Sequence, residues 1–217
     1  MLFLNALVAI FTLLMLTRHG PRAVLFLAPR SVRIAGDGGA APRASGQLAA
    51  GELLEPLGFR RLGLRRERGP LGGLDLEVDA WAHPDGTCAD AHAAGGRQVV
   101  VSFLTALADG FMVATSNFRR TAVQGASGRV GGIVGAGLEG ALAAHRKAVE
   151  PLAAAHGAAQ PVSDLDGRIG LARRFYAGIG AAELRKPALM SLLNTALALL
   201  LLGTSVKGML RALGVIG

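Results

Sequence analysis

The 217-residue chain is half apolar but only 5% aromatic, and its 23 Lys and Arg outweigh 15 Asp and Glu by eight charges. One cysteine, Cys88, excludes an intrachain disulfide and a cysteine-built zinc site. One Trp and one Tyr give the cations nothing to interleave with, so the excess charge points to a membrane surface in preference to nucleic acid.

The charge is unevenly laid out. Arg18–Gly73 holds ten Arg and four acids, Leu74–Gly110 six acids and only Arg97, and Phe111–Pro187 ten cations and five acids. The basic blocks adjoin the two most apolar stretches. Leu2–Thr17 runs sixteen residues without a charge. As a helix it measures about 24 Å, short for a hydrocarbon core of about 30 Å but workable with local thinning. It has no basic n-region, and "TRHGPRA" follows it, so an uncleaved anchor is expected over a signal peptide. Ala188–Val206 is nineteen residues with leucine on every side, which suits lipid, and Pro187 fits a first helical position. Cations gather on the inner flank of each span, so the middle of the chain is expected on the cytoplasmic side of an inner membrane.

Between the spans, residues 18–46 read as a basic interfacial segment followed by a Gly/Pro linker, and Gln47–Leu57 as a short helix with Ser45 as N-cap. Five strands are expected over about 59–117: Phe59–Arg66, Leu74–Trp81, Thr87–Ala93, Gln98–Leu107 and Phe111–Ser116. They are separated by His83-Pro-Asp-Gly86, Gly95-Gly96 and Asp109-Gly110 turns. In the second strand Asp75, Glu77 and Asp79 alternate with apolar residues and are assigned to a wet face. A helix over about 138–157 follows, with His145 and His156 on its apolar stripe. Residues 161–187 form an amphipathic juxtamembrane helix opening at Ser163, with Arg168, Arg173 and Arg174 away from its apolar side. Residues 207–217 form a short tail.

The expected fold is therefore an α+β membrane protein: two transmembrane helices flanking an antiparallel meander of about five strands with two or three helices. Within it, Gly135-x-Gly137-x-x-Gly140 matches a dinucleotide fingerprint, but the preceding glycines argue against the strand such a fingerprint requires. The stretch reads instead as a flexible exit from the sheet, whose helix start, near Arg119, Arg120 and Arg129 in sequence, suits an anion. Arg173 and Arg174 join these as possible lipid or anion contacts. His83, Asp85, Cys88, Asp90 and His92 form a polar cluster read first as the wet face of a hairpin. No catalytic residue, metal or cofactor is assigned. The expected function is a non-enzymatic membrane-anchored module that binds a protein partner or anionic lipid. The alternatives are a small-ligand sensor and a hydrolase or thiol enzyme using His83, Cys88 and His92. Ser191, Asn194, Thr195 and Ala198 suit interhelical contacts, hence association through the spans.

Overall fold

The computed structural model describes residues 2–37, 45–92 and 98–216. Among these, the chain forms five α-helices and one eight-stranded sheet. Helix α1 is Leu2–Leu27, β1 Arg33–Asp37, α2 Ser45–Leu54, β2 Arg60–Arg68, β3 Asp75–Ala82 and β4 Cys88–His92. Strands β5 Val100–Ala106, β6 Met112–Ser116, β7 Val123–Gly125 and β8 Gly128–Gly132 follow. Helices α3 Leu138–His156, α4 Leu165–Ala177 and α5 Ile179–Ala212 complete the chain. The Gly/Pro linker beyond Asp37 and the Gly95-Gly96 turn lie outside the described residues.

The chain divides into two compact units. One is the domain, Val32–Arg68 with Leu74–Glu183; the other joins Met1–Ser31, Gly69–Gly73 and Leu184–Gly217.

In the domain, β2 to β6 form the expected antiparallel meander, each strand paired with the next. The sheet as a whole is mixed, in the order β1-β2-β3-β4-β5-β6-β8-β7. Arg33–Asp37, expected as the end of the interfacial segment and the start of the linker, instead pairs with β2 as an edge strand. Phe111–Ser116 is not the last strand, because β8 pairs parallel with β6 and β7 caps the edge. The Gly-rich run is thus a strand after all. Its glycines are steric: a Cβ on Gly132 would run into the carbonyl oxygen of Phe118, and one on Gly128 into that of Met112. Glycine here allows close backbone approach, at the cost of a side-chain signal. The Asp85-Gly86 turn forms as expected, with the Asp85 carboxylate accepting from the Thr87 N–H at 2.8 Å and Gly86 at φ 88°.

Both faces of the sheet are covered. Helices α2 and α3 close one face over Leu54, Phe59, Trp81, Ala91, Phe103 and Leu142. Helix α4 closes the other over Cys88, Leu104, Met112, Ala114 and Val130, with Leu171 and Phe175 from its own inward side. The wet face assigned to the second strand holds at Asp75, which is exposed, and fails at Asp79, where the strand enters the core. Asp79 is fully buried, its carboxylate accepting from Arg61 at 2.8 Å and from the Trp81 indole at 2.9 Å. Burial pushes its pKa up, against the opposing effect of Arg61. Helix α4 starts two residues later than expected, with Asp164 as the N-cap accepting from Gly167 N–H.

The second unit is built on a helical hairpin. Helices α1 and α5 are both long and apolar enough to cross a membrane. Helix α1 continues ten residues past Thr17, through Pro21, and α5 starts eight residues before Pro187, which lies inside it. The two run antiparallel. His19 Nδ1 is 3.5 Å from Ser191 Oγ near one end, and Gly208 lies against Asn5 near the other. The facing positions are small or polar: Ala9 and Thr12 on α1, and Ser191, Ala198 and Ser205 on α5, are buried. The last three recur every seven residues, the spacing of a helix–helix seam. Outward-facing Phe3, Leu7, Ile10, Phe11 and Leu14 on α1, with Leu193, Leu197 and Leu200 on α5, are exposed. Small residues within and large apolar ones without are what lipid as solvent selects.

Candidate functional site

The most concentrated chemistry in the domain is a buried ionic network beneath α4. Period-two alternation puts Arg65 and Glu67 of β2, Asp90 and His92 of β4 and Ser102 of β5 on one face. Between β2 and β4, strand β3 offers only Val78 and Ala80 on the rungs opposite Arg65, His92 and Asp90. These short side chains let the Arg65 guanidinium cross β3 and donate to Asp90 Oδ2 at 2.7 Å, while it also pairs with Glu67. From above, Arg168 Nε donates to Asp90 Oδ1 at 3.2 Å and its Nη2 to Oδ2. Tyr176, two turns along α4, donates its hydroxyl to Glu67.

The network continues sideways. His92 Nε2 lies 3.0 Å from Ser102 Oγ, and Arg120 Nη1 donates to the same hydroxyl at 3.5 Å. Arg120 forks onto Glu183 at the start of α5, at 2.7 and 2.5 Å, with its guanidinium 5.6 Å from the Phe175 ring centroid. Three arginines thus face three carboxylates, largely out of water.

Electrostatics follow from that enclosure. Burial alone would raise the Asp90 carboxyl, but Arg168 and Arg65 outweigh it and hold it at about 2. Burial works against the Arg65 charge, and Asp90 and Glu67 more than restore it. Burial pushes the His92 imidazole down to about 4, so it is neutral near pH 7. The Cys88 thiol is pushed by burial up to about 11 and stays protonated there, the opposite of an activated nucleophile. Across the sheet, buried His145 of α3 is clamped between Thr105 Oγ1 at 2.9 Å and Thr115 Oγ1 at 3.1 Å, as expected of a core histidine.

The structure divides the polar cluster proposed from sequence. His83 and Asp85 pair at 2.9 Å in their turn, Arg146 of α3 donates to Asp85 at 3.0 Å, and the His83 ring packs near Phe59 at 5.1 Å. Cys88 and Asp90 belong to the opposite face, under α4, and His92 follows them along the strand. His83, Cys88 and His92 are therefore not brought to one site. Among the described residues, no group of three His, Cys, Asp or Glu is placed to hold a metal ion.

The five arginines proposed as anion contacts also scatter. Arg120 is paired with Glu183, Arg173 donates to the Ile34 carbonyl at 3.3 Å and Arg174 to Gln160 at 3.4 Å. Arg119 and Arg129 are exposed. Sequence reading missed Arg65, Glu67, Tyr176 and Glu183 as members of one network, and set Arg168 off the apolar side of its helix. The available signal was spacing: Arg168, Leu171, Ala172 and Phe175 form one buried stripe at helical intervals.

The hairpin unit presents a different site. It contains Arg18, Arg22, Arg30, Arg185, Lys186, Lys207 and Arg211 and no Asp or Glu. The first five lie toward the end marked by His19 and Ser191, where the chain passes to and from the domain. Lys207 and Arg211 lie toward the end marked by Asn5 and Gly208.

Comparison with protein-family models, curated proteins and solved structures finds no match to this chain.

Proposed function

We propose that the chain is a non-enzymatic membrane-anchored module, its domain held on the cytoplasmic side by two spans whose cationic end meets anionic headgroups. The observation that carries this is the hairpin's composition: five cations near one end, two near the other, and no Asp or Glu within the unit itself. Cations flanking a span favour the cytoplasmic side, and each one near an anionic surface contributes roughly 1 kcal/mol of attraction.

The test is cysteine accessibility in a Cys88→Ala background, in intact cells and in inverted membrane vesicles. Arg119→Cys should react with an impermeant maleimide only in inverted vesicles, and Val215→Cys only in intact cells. Reaction of Arg119→Cys from outside the cell would overturn the orientation, and release of the protein by carbonate would overturn the spans.

A small-ligand sensor is a second reading, supported by Arg65 Nε and Arg168 Nη1, which are buried without a hydrogen-bond partner. A small carboxylate or phosphate that satisfied them should raise the unfolding temperature in proportion to the logarithm of its concentration. A flat response to both would dismiss it.

A further inference from the structure

The turn between β2 and β3, Pro70–Gly72, belongs to the hairpin unit and not to the domain. It is seated on α1: a Cβ on Gly73 would stand 2.5 Å from the Pro21 carbonyl oxygen and 3.0 Å from Leu25 Cδ1. No other residue type fits that approach. Leu71 at the tip is 75% exposed and is the one non-glycine residue with positive φ among those described, at 52°. Gly69, Gly72 and Gly73 surround it, so the turn is made of residues suited to that conformation, yet its strained position holds a large apolar side chain. Solubility disfavours leucine there, and the backbone disfavours it too.

The depth of the turn suggests what compensates. Pro21 lies four residues past Thr17, about 6 Å along the helix, within the interfacial layer of roughly 5–8 Å that flanks each side of the hydrocarbon. Arg18 and Arg22 bracket the same level of α1 and suit headgroup phosphates. Leu71, two residues before Gly73, is thus an exposed apolar side chain in a turn seated at the cationic edge of α1.

We propose that Leu71 is a third membrane contact, inserting between headgroups while the two helices span. This contact exists only if α1 and α5 cross the bilayer as proposed above. A bimane label on Leu71→Cys, in a Cys88→Ala background in vesicles containing anionic lipid, tests it by quenching with nitroxide lipids labelled at the headgroup or deep in the acyl chain. Leu14→Cys in the middle of α1 is the companion variant, and Trp81 emission reports folding of each. The expected result is quenching of residue 71 by the shallow label and of residue 14 by the deep one. Quenching of residue 14 without residue 71 overturns the insertion and leaves the spans intact. Loss of quenching at residue 14 overturns the spans and the insertion with them. Label-to-label excimers at residue 71 that persist on lipid dilution, without quenching, would assign Leu71 to a second copy of the chain and overturn the membrane contact.

Discussion

The domain and the hairpin use positive charge in opposite ways. The domain carries sixteen Lys and Arg and fifteen Asp and Glu, so it is nearly neutral, and its interior arginines are each matched to a carboxylate. The hairpin carries seven cations and no acid. Nearly all of the chain's basicity therefore belongs to the helices that suit a membrane. Inside the domain, arginine is a structural residue that fixes how α4 and the segment ending at Glu183 pack on the sheet. A long side chain that is abundant in both regions has two meanings, set by whether its own unit supplies acids.

Among single substitutions, removing one member of a matched set should hurt most. Arg168→Met leaves Asp90 buried with Arg65 alone and is expected to cost about 3–5 kcal/mol, read from denaturant unfolding followed by Trp81 emission. An unchanged midpoint would mean the network is solvated and the contrast between the regions is false.

Acid should act on a comparable scale, through the buried histidines of the domain. His145 and His92 are held down at about 4 by burial, below their ordinary value of 6.5. Between those values the unfolded chain binds protons that the folded chain does not, so stability is complete above pH 6.5 and falls as pH drops towards 4. Each histidine accounts for on the order of 3 kcal/mol over that window. His145→Gln should remove about half of the fall, and a slope identical to that of the parent protein would rule out burial as its cause. The Asp90 contribution runs the same way at lower pH and disappears only as pH falls from 4 towards 2.

Charges on the hairpin should behave otherwise. Arg22→Gln with Arg185→Gln is expected to leave the Trp81 midpoint in place. The preference of the reconstituted protein for spin-labelled anionic lipid should fall, by about fivefold per cation in association constant. A shifted midpoint with an unchanged lipid preference would reverse the roles assigned to the two regions. The smallest effect belongs to the domain's surface: Arg146→Ala removes a half-exposed pair with Asp85 and should cost under about 1 kcal/mol in the same unfolding assay.

Much of the fold was legible because its signals are local. The apolar spans, the Asp85-Gly86 and Asp109-Gly110 turns and the strands between them follow from composition and alternation within a few residues. Strand β8 was not legible, since Gly128, Gly131 and Gly132 offer no side-chain pattern and pair through backbone alone. Strand β1 was hidden by arginines and prolines that mimic an interfacial segment. The shared face of Cys88, Asp90 and His92 could be read from period two. Its burial could not, because the partners that make burial tolerable lie far off in sequence. Arg65 precedes Asp90 by 25 residues and Arg168 follows it by 78. Alternating acids mark one face of a strand, but only tertiary pairing decides whether that face is wet.

Helix α5 runs unbroken from Ile179 to Ala212, a rod of roughly 50 Å. Pro187 brings no N–H to the carbonyl of Glu183, so one rung of the ladder is missing where the chain leaves the domain. Mechanically this is a stiff shaft with a single soft joint. The Glu183 side chain is fastened to Arg120 on the near side of the joint, and Ser191 is seated against His19 on the far side. The missing rung thus falls between two side chains that are each held within their own unit.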